Sequence, residues 1–152
     1  MQALRILRTN SENQDFVQLV HLLDQDLQRR DGADHSFFAQ FNKIDSIKYV
    51  VVAYLDLSPV GCGAIKEYDH ETMEIKRMFV TPEHRGNGVA TAVLQELEKW
   101  ASELGYKKCI LETGERQPEA IGLYAKNLYR RIPNYGQYAN VITSVCFLKE
   151  LE

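Results

Sequence analysis

Arg85-Gly86-Asn87-Gly88-Val89-Ala90 joins a strand-like run over residues 75–80 to a long amphipathic helix expected to begin near Gly86. Two glycines in three residues let the backbone turn its amide N–H groups outward, toward a ligand. The helix start adds N–H groups with no partner inside the helix, together with the positive end of the helix dipole. The two features together predict a seat for an anion, best matched by a phosphate or pyrophosphate.

On either side of this stretch the pattern is strand, helix, strand. Val89, Val93, Leu97, Trp100, Ala101 and Leu104 recur at helical spacing, and Gly105 follows as a stop. Residues 107–113 then read as a strand with an apolar Cys109-Ile110-Leu111 centre. A crossover of this kind makes the two strands parallel and right-handed. Their carboxyl ends share one sheet edge, where α/β folds hold ligands. The first of these ends leads into the glycine stretch, and the second carries Glu112.

The remaining chain supplies more strands and helices. Residues 3–8 alternate weakly as a strand, residues 13–28 carry an amphipathic stripe, Asp31-Gly32 breaks it, and residues 36–41 suggest a short helix. Residues 48–57 are β-branched and aromatic, with Ser58-Pro59 read as the turn into a second strand over 60–68. A third strand follows over 72–80. Pro118 fits the first turn of another helix, striped by Ile121, Tyr124, Ala125 and Leu128. Residues 129–132 and 143–148 complete the set as short strands.

Composition sets the limits. With 45% hydrophobic and 26% charged residues and no Pro/Gly/Ser-rich linker, residues 1–152 read as a single globular domain. A net charge of −3 gives no basic footprint for nucleic acid. No apolar run reaches the ~18 residues a membrane span needs, and the first residues lack the apolar core of a signal peptide. Cys62, Cys109 and Cys146 are odd in number and lie in apolar stretches, which reads as buried thiols in a reducing cytoplasm. His21, His35, His70 and His84 show no ligand spacing, so no metal site is expected and they read as surface or capping residues.

Three phosphate sites compete for the glycine stretch. A P-loop needs a Lys-Ser/Thr pair after the glycines, and none follows. A Rossmann site needs a third glycine where Thr91 stands, and glycines directly after the strand, whereas residues 81–85 intervene. Glu112, 24 residues after Gly88, mimics the ribose-binding acid of that fold and keeps it in contention. The third is a resemblance. Arg85-x-x-Gly88-x-Ala90 is similar to the Q/R-x-x-G-x-G/A signature of the GNAT acetyltransferase superfamily, and it follows Met78-Phe79-Val80-Thr81-Pro82-Glu83 as that signature does. Leu111-Glu112, followed by the Leu123-Tyr124 and Leu128-Tyr129 elements, resembles the second conserved stretch of the family.

The resemblance implies an α/β (mixed α+β) fold, with a twisted mixed sheet of about six to seven strands flanked by helices. It implies acetyl-CoA as acetyl donor. Amides of Gly86, Asn87, Gly88, Val89, Ala90 and Thr91, opened by Arg85, would hold the pyrophosphate. The backbone of Met78, Phe79 and Val80 would pair with the pantetheine arm. Gln117 stands where many members have an arm-contacting asparagine, and Leu128 replaces the glycine usual before the aromatic. Glu112 would be the general base and Tyr124, twelve residues on, the acid that reprotonates the thiolate. An alkyl ammonium is neutral to the order of one part in a thousand at pH 7, so a base is required. The amine would attack the thioester directly, with the carbonyl polarised by an amide near Val80.

Other readings stand beside these. Glu112 on residue type alone is an ordinary strand-end acid, solvated or paired with Arg116; Glu74 is the rival base; Tyr124 on an apolar stripe is explained by packing. Arg77, facing away from Lys76 and Met78 by strand alternation, fits a substrate carboxylate or a surface ion pair equally. Cys146 reads as a strand residue, not a nucleophile. Tyr129, Tyr135 and Tyr138 form an aromatic segment that serves as an acceptor-pocket wall or as plain loop packing. The expected activity is acetyl transfer to a small-molecule primary amine, an amino acid among the candidates. The alternatives are a peptide or protein N-terminus as acceptor, and a non-catalytic acyl-CoA-binding module. Family members often pair, which makes a homodimer the implied assembly, although the sequence itself leaves oligomeric state open.

Overall fold

The computed structural model describes residues 3–31 and 46–152. The helix expected over 36–41, and His35 with it, lies outside the described residues. The chain runs β1 (Leu4–Thr9), α1 (Gln14–Asp31), β2 (Tyr49–Leu55), β3 (Ser58–Asp69), β4 (Thr72–Val80), α2 (Val89–Glu103), β5 (Lys108–Gly114), α3 (Pro118–Lys126), β6 (Arg130–Ile132) and β7 (Ser144–Glu150). Asn13 starts α1 as a side-chain cap, its Oδ1 accepting from the Phe16 N–H at 3.0 Å. Pro118 opens α3 at a position where no helical N–H is needed.

The seven strands form one sheet in the order β1-β2-β3-β4-β5-β7-β6, as the mixed α/β expectation requires. Only β4 and β5 pair in parallel; the other neighbours are antiparallel. Apolar residues cover both faces. Phe16, Leu19, Val20 and Leu23 of α1 pack on Val50, Val52, Cys62 and Phe79. Val89, Val93, Leu94 and Leu97 of α2 pack on the opposite face with Val51, Ala53, Ile65 and Ile75.

The parallel ladder is short. Thr72, Met73 and Glu74 pair with Lys108, Cys109 and Ile110, and there the ladder ends although both strands continue. Past Glu74, β4 stays on β3, while β5 follows β7 through Gly114. A wedge opens between the carboxyl halves of β4 and β5, and the glycine loop and Glu112 stand on either side of it.

A bulge in β4 sets what faces this wedge. Ala64 pairs with Lys76 but Cys62 pairs with Phe79, so Arg77 and Met78 together oppose Gly63. Arg77 takes a left-handed φ of 62°. The extra residue reverses the alternation: Glu74 and Lys76 share a face, bridged at 3.6 Å, whereas Met78 and Val80 lie on the α2 face and Phe79 on the α1 face. The simple alternation expected around Arg77 is therefore corrected, and so is its reading as a surface ion pair, because Arg77 is buried. Close packing of the α2 face explains the small residue opposite the bulge. A Cβ on Gly63 would come within 2.5 Å of the Met78 sulfur and 2.8 Å of Leu97.

Three local boundaries also differ from the sequence reading. The β2–β3 turn is Asp56-Leu57, not Ser58-Pro59, because Asp56 adopts the positive φ of 54° that a tight hairpin favours. Helix α2 begins at Val89, with Gly88 as its N-cap at φ 81°, so residues 86–88 are loop. Helix α3 ends at Lys126, which leaves Leu128 beyond the helix.

Helices α2 and α3 stop by the same hydrogen-bonded turn. After α2, Tyr106 N–H donates to the Ala101 carbonyl and Gly105 N–H to the Ser102 carbonyl, with Gly105 at φ 94°. After α3, Tyr129 N–H donates to the Tyr124 carbonyl and Leu128 N–H to the Ala125 carbonyl, with Leu128 at φ 72°. Here a leucine takes the glycine conformation, at a cost of about 1–2 kcal/mol in backbone strain, and it stays 79% exposed, so little packing offsets the strain. Leu128→Gly is expected to raise the unfolding free energy by about 1 kcal/mol, the strain relief less the glycine's extra unfolded-state entropy. Denaturant titration checks this, and an unchanged or lower midpoint would refute it.

Candidate active site

The glycine loop forms the first half of the site. Gly86 at φ 83° and Gly88 at φ 81° flank Asn87. The first helical hydrogen bond in α2 runs from the Ala92 N–H to the Gly88 carbonyl at 3.0 Å. Val89, Ala90 and Thr91 precede that bond, so their amides are the open donors of the helix start. Gly86, Gly88, Val89, Ala90 and Thr91 line a cleft of about 350 Å³ together with Met78, Phe79 and Val80 of β4, with Gln117 just before α3, and with Ala120 and Leu123 of α3. Asn87 is exposed at the loop tip and is not part of this lining.

Arg85 also lines this cleft, and its side chain is tied to the protein. Its Nε donates to the Val80 carbonyl at 2.9 Å, its Nη2 lies 3.7 Å from Asp26 Oδ2 on α1, and its guanidinium sits 5.5 Å from the Phe79 ring centre. It fastens the glycine loop to the end of β4. The cleft fits a pyrophosphate carrier with an extended arm: open amides at one end, an unpaired strand edge of β4 along one side, and an α3 wall with no side chain at Gly122.

The second half is a smaller cavity of about 90 Å³, lined by Glu74, Lys76, Arg77, Glu112, Tyr124 and Tyr138 among others. Met78, Gln117 and Leu23 line both spaces and mark where they meet. Glu112 is half-buried near the end of β5, and Ser144 Oγ on β7 donates to its Oε2 at 2.6 Å. Tyr124 projects from α3 and is buried; burial first, and the Glu112 charge second, push its phenol above the ordinary value. A buried phenol of this kind keeps its proton at neutral pH and can donate it.

Glu74 faces the same cavity but is tied down. Tyr135 donates to its Oε2 at 2.6 Å, and Lys76 lies 3.6 Å from its Oε1. Tyr135 meets Tyr68 and Tyr138 edge to face at 5.2 and 5.7 Å, so the aromatic segment does form a wall, with Tyr138 reaching the cavity and Tyr135 anchoring the wall to the sheet. Tyr129 lies elsewhere, behind Tyr124.

The structure thus brings Glu112, Tyr124, Glu74, Gln117 and the glycine loop into one continuous space. Sequence reasoning missed Ser144, Lys76, Leu23 and Asp26. Ser144, Leu23 and Asp26 reach the site by non-local pairings, whereas Lys76 stands two residues from Glu74 on the same face of β4. Cys62, Cys109 and Cys146 are buried free thiols, with burial pushing Cys62 and Cys109 up to about 12 and Cys146 to about 11. His84 pairs with the Thr81 hydroxyl at 2.8 Å, a loop contact. Among the described residues no helix is long and apolar enough to cross a membrane.

Known proteins share this arrangement. The sequence profile of the acetyltransferase (GNAT) family matches residues 15–128. An IAA acetyltransferase of Azospirillum brasilense is 30% identical over 141 residues, covering 91% of this chain and 92% of its own. A solved structure described as an acyl-CoA N-acyltransferase from Klebsiella pneumoniae has a TM-score of 0.82 at 25% identity, covering 98% of each chain. A GNAT family acetyltransferase from Elizabethkingia anophelis, solved with acetyl-CoA bound, shares the fold with a TM-score of 0.69 at 17% identity, over 97% of this chain and 98% of its own. The chain belongs to the GNAT family and is an N-acetyltransferase. The P-loop and Rossmann readings end here, since the sheet is mixed and only one strand pair is parallel.

The loop geometry generates a test. A Cβ on Gly88 would meet nothing within 4 Å, so its requirement is conformational rather than steric. Gly88→Val forces a β-branched residue toward positive φ and is expected to weaken coenzyme A binding about tenfold or more by reshaping the loop. Gly105→Ala, strained likewise but roughly 20 Å away along α2, should lower stability and spare binding. Calorimetric titration of both variants decides; equal affinities would remove the loop from the site.

Proposed function

We propose that this chain transfers the acetyl group of acetyl-CoA to the primary amine of a small molecule, by direct attack within a ternary complex. The observation that carries this reading is the meeting of two spaces at Met78 and Gln117: a cleft with open helix-start amides, and a cavity holding a carboxylate and a buried phenol.

Bound in the cleft, acetyl-CoA supplies the activated acetyl group. Gly86, Gly88, Val89, Ala90 and Thr91 hold its pyrophosphate, with Asn87 completing the turn between the glycines. Met78, Phe79 and Val80 offer the free edge of β4 to its arm, and Gln117 stands beside that arm. Arg85 lines the cleft beside the pyrophosphate seat and also fixes the loop to the end of β4. An amide near Val80 polarises the thioester carbonyl.

Glu112 takes the proton that the acceptor ammonium must lose before its nitrogen can attack. Ser144 orients the Glu112 carboxylate through the 2.6 Å hydrogen bond, and Glu112 lines the cavity. Glu74 is the less suitable base because Tyr135 and Lys76 engage its two oxygens. Tyr124 gives its proton to the departing thiolate and is reprotonated by the second proton that the attacking nitrogen sheds as the amide forms, while the proton on Glu112 passes to solvent. The N–C bond forms as the C–S bond breaks, and no acetyl-enzyme is required.

The proton roles predict distinct variants. Tyr124→Phe should lower kcat about 10²-fold while leaving acetyl-CoA affinity nearly intact, and Glu112→Gln should do the same with a shifted pH profile. Because the Tyr124 phenol is raised, its protonated form persists to higher pH than an ordinary tyrosine. The wild-type rate should therefore show no alkaline decline below about pH 10. A fall beginning near pH 8 would exclude Tyr124 as the acid. Thiol release across a panel of small amines and short peptides tests the acceptor. Preference for peptides would replace the small-molecule reading, and acetyl-CoA binding with no turnover on any acceptor would indicate a binding module.

A further inference from the structure

Tyr124 sits at a turn that the chain holds in an unfavourable conformation. Its carbonyl accepts the Tyr129 N–H at 3.0 Å, across Leu128 at φ 72°. The Leu128 side chain is exposed and contributes little packing to hold that turn. Backbone strain persists only where neighbouring structure fixes the chain on both sides. On the far side, what fixes it is Tyr129.

Tyr129 is buried and its ring meets the Tyr124 ring edge to face, with centres 5.6 Å apart and planes at 66°. Its hydroxyl donates to Glu98 Oε2 at 2.8 Å. Glu98 belongs to α2 and is only 9% exposed. Its other oxygen, Oε1, accepts from Lys149 Nζ on β7 at 3.0 Å, and that ammonium lies 5.7 Å from the Tyr129 ring centre. Phe147, also on β7, packs against Tyr124 with ring centres 6.0 Å apart. A buried carboxylate, with both oxygens engaged and a half-buried lysine as its cation, thus lies under the catalytic helix, and Tyr129 is its link to Tyr124. Neither Glu98 nor Lys149 lines the active-site cavity or the glycine-loop cleft. A group needed only to fill this position would not have to be ionic.

We propose that Tyr129, anchored on Glu98 and Lys149, is a positioning residue that holds Tyr124 at the angle from which its hydroxyl reaches the leaving thiolate. The inference rests on Tyr124 being the proton donor. Tyr129 touches no reacting atom; it acts through its N–H on the Tyr124 carbonyl and its ring on the Tyr124 ring. Glu98 matters as the acceptor that prevents Tyr129 from swinging, and Lys149 as the cation that makes a buried carboxylate tolerable there. Small displacements of a catalytic group are costly in rate, so the anchor is expected to show in kcat and not in donor binding.

Tyr129→Phe keeps the ring and the turn and removes the hydroxyl, with its bond to Glu98 and its contact with the Cys109 thiol. It should lower kcat about tenfold with an unchanged Kd for acetyl-CoA. In the Tyr124→Phe background the same change should have little further effect, because there is no longer a proton donor to position. Glu98→Ala should reproduce the loss, and Glu98→Gln, which still accepts from Tyr129, should recover most of it. These two variants carry the test if Tyr129→Phe does not fold. If Tyr124→Phe lowers kcat but Tyr129→Phe and Glu98→Ala do not, the positioning role falls and the acid assignment stands. The positioning role falls equally if the Tyr129 and Tyr124 effects multiply, or if Glu98→Gln is as impaired as Glu98→Ala. If Tyr124→Phe leaves kcat unchanged, the acid assignment fails and the positioning role is overturned with it.

Discussion

Three residue pairs hold β4 to β5, and the parting of these strands after Glu74 and Ile110 creates both spaces of the site. A longer parallel ladder would pair the free edge of β4 and seal the cleft between the glycine loop and α3. The parting is sustained from both sides. β4 remains hydrogen-bonded to β3 as far as Val80, and β5 remains paired with β7 along its whole length. Each strand satisfies one edge with its outer neighbour, and beyond Glu74 and Ile110 the inner edges do not pair with each other.

The bulge at Arg77 and Met78 makes this opening usable. With regular alternation, Lys76 and Met78 would share a face, and the apolar Met78 would leave the α2 core. The added residue places Met78 over Gly63, against Val93 and Leu97, so that it forms the partition between the cofactor cleft and the acid-lined cavity. Phe79 is sent to the α1 side, where its ring lies under Arg85. One irregular residue therefore assigns one wall to the apolar core and the next to the side of the glycine loop.

Charge around the cavity is divided in a way that separates two similar acids. Glu74 is held by a lysine and a tyrosine and stabilises the aromatic wall, whereas Glu112 is oriented by a serine and faces the buried Tyr124. The distinction is one of partners, since both are glutamates on neighbouring strands near the same edge. Behind Tyr124 the Glu98–Lys149 pair gives the far end of α3 an attachment to α2 and β7, so the helix is fastened on the side away from the ligand.

Features that depend on near neighbours are legible along the chain. The glycine loop at Gly86 and Gly88, the apolar stripe of α2 and its stop at Gly105, and the strand–helix–strand order around them are all local patterns. They are enough to bring the expected phosphate seat and Glu112 to one sheet edge, and the resemblance carried by Arg85-x-x-Gly88-x-Ala90 points to the family on the same residues. What depends on which distant strands lie side by side emerges only in the folded molecule. Tyr135 beside Glu74, Ser144 beside Glu112, Asp26 beside Arg85, and Lys149 beside Glu98 follow from pairings that no spacing along the chain encodes. The bulge at Arg77 likewise has no local signature, because it arises from fitting β4 to β3 and to the packed face of α2 at once. Hydrogen bonding along a helix is read within a few residues, whereas register and partner in a sheet are fixed only when the whole core closes.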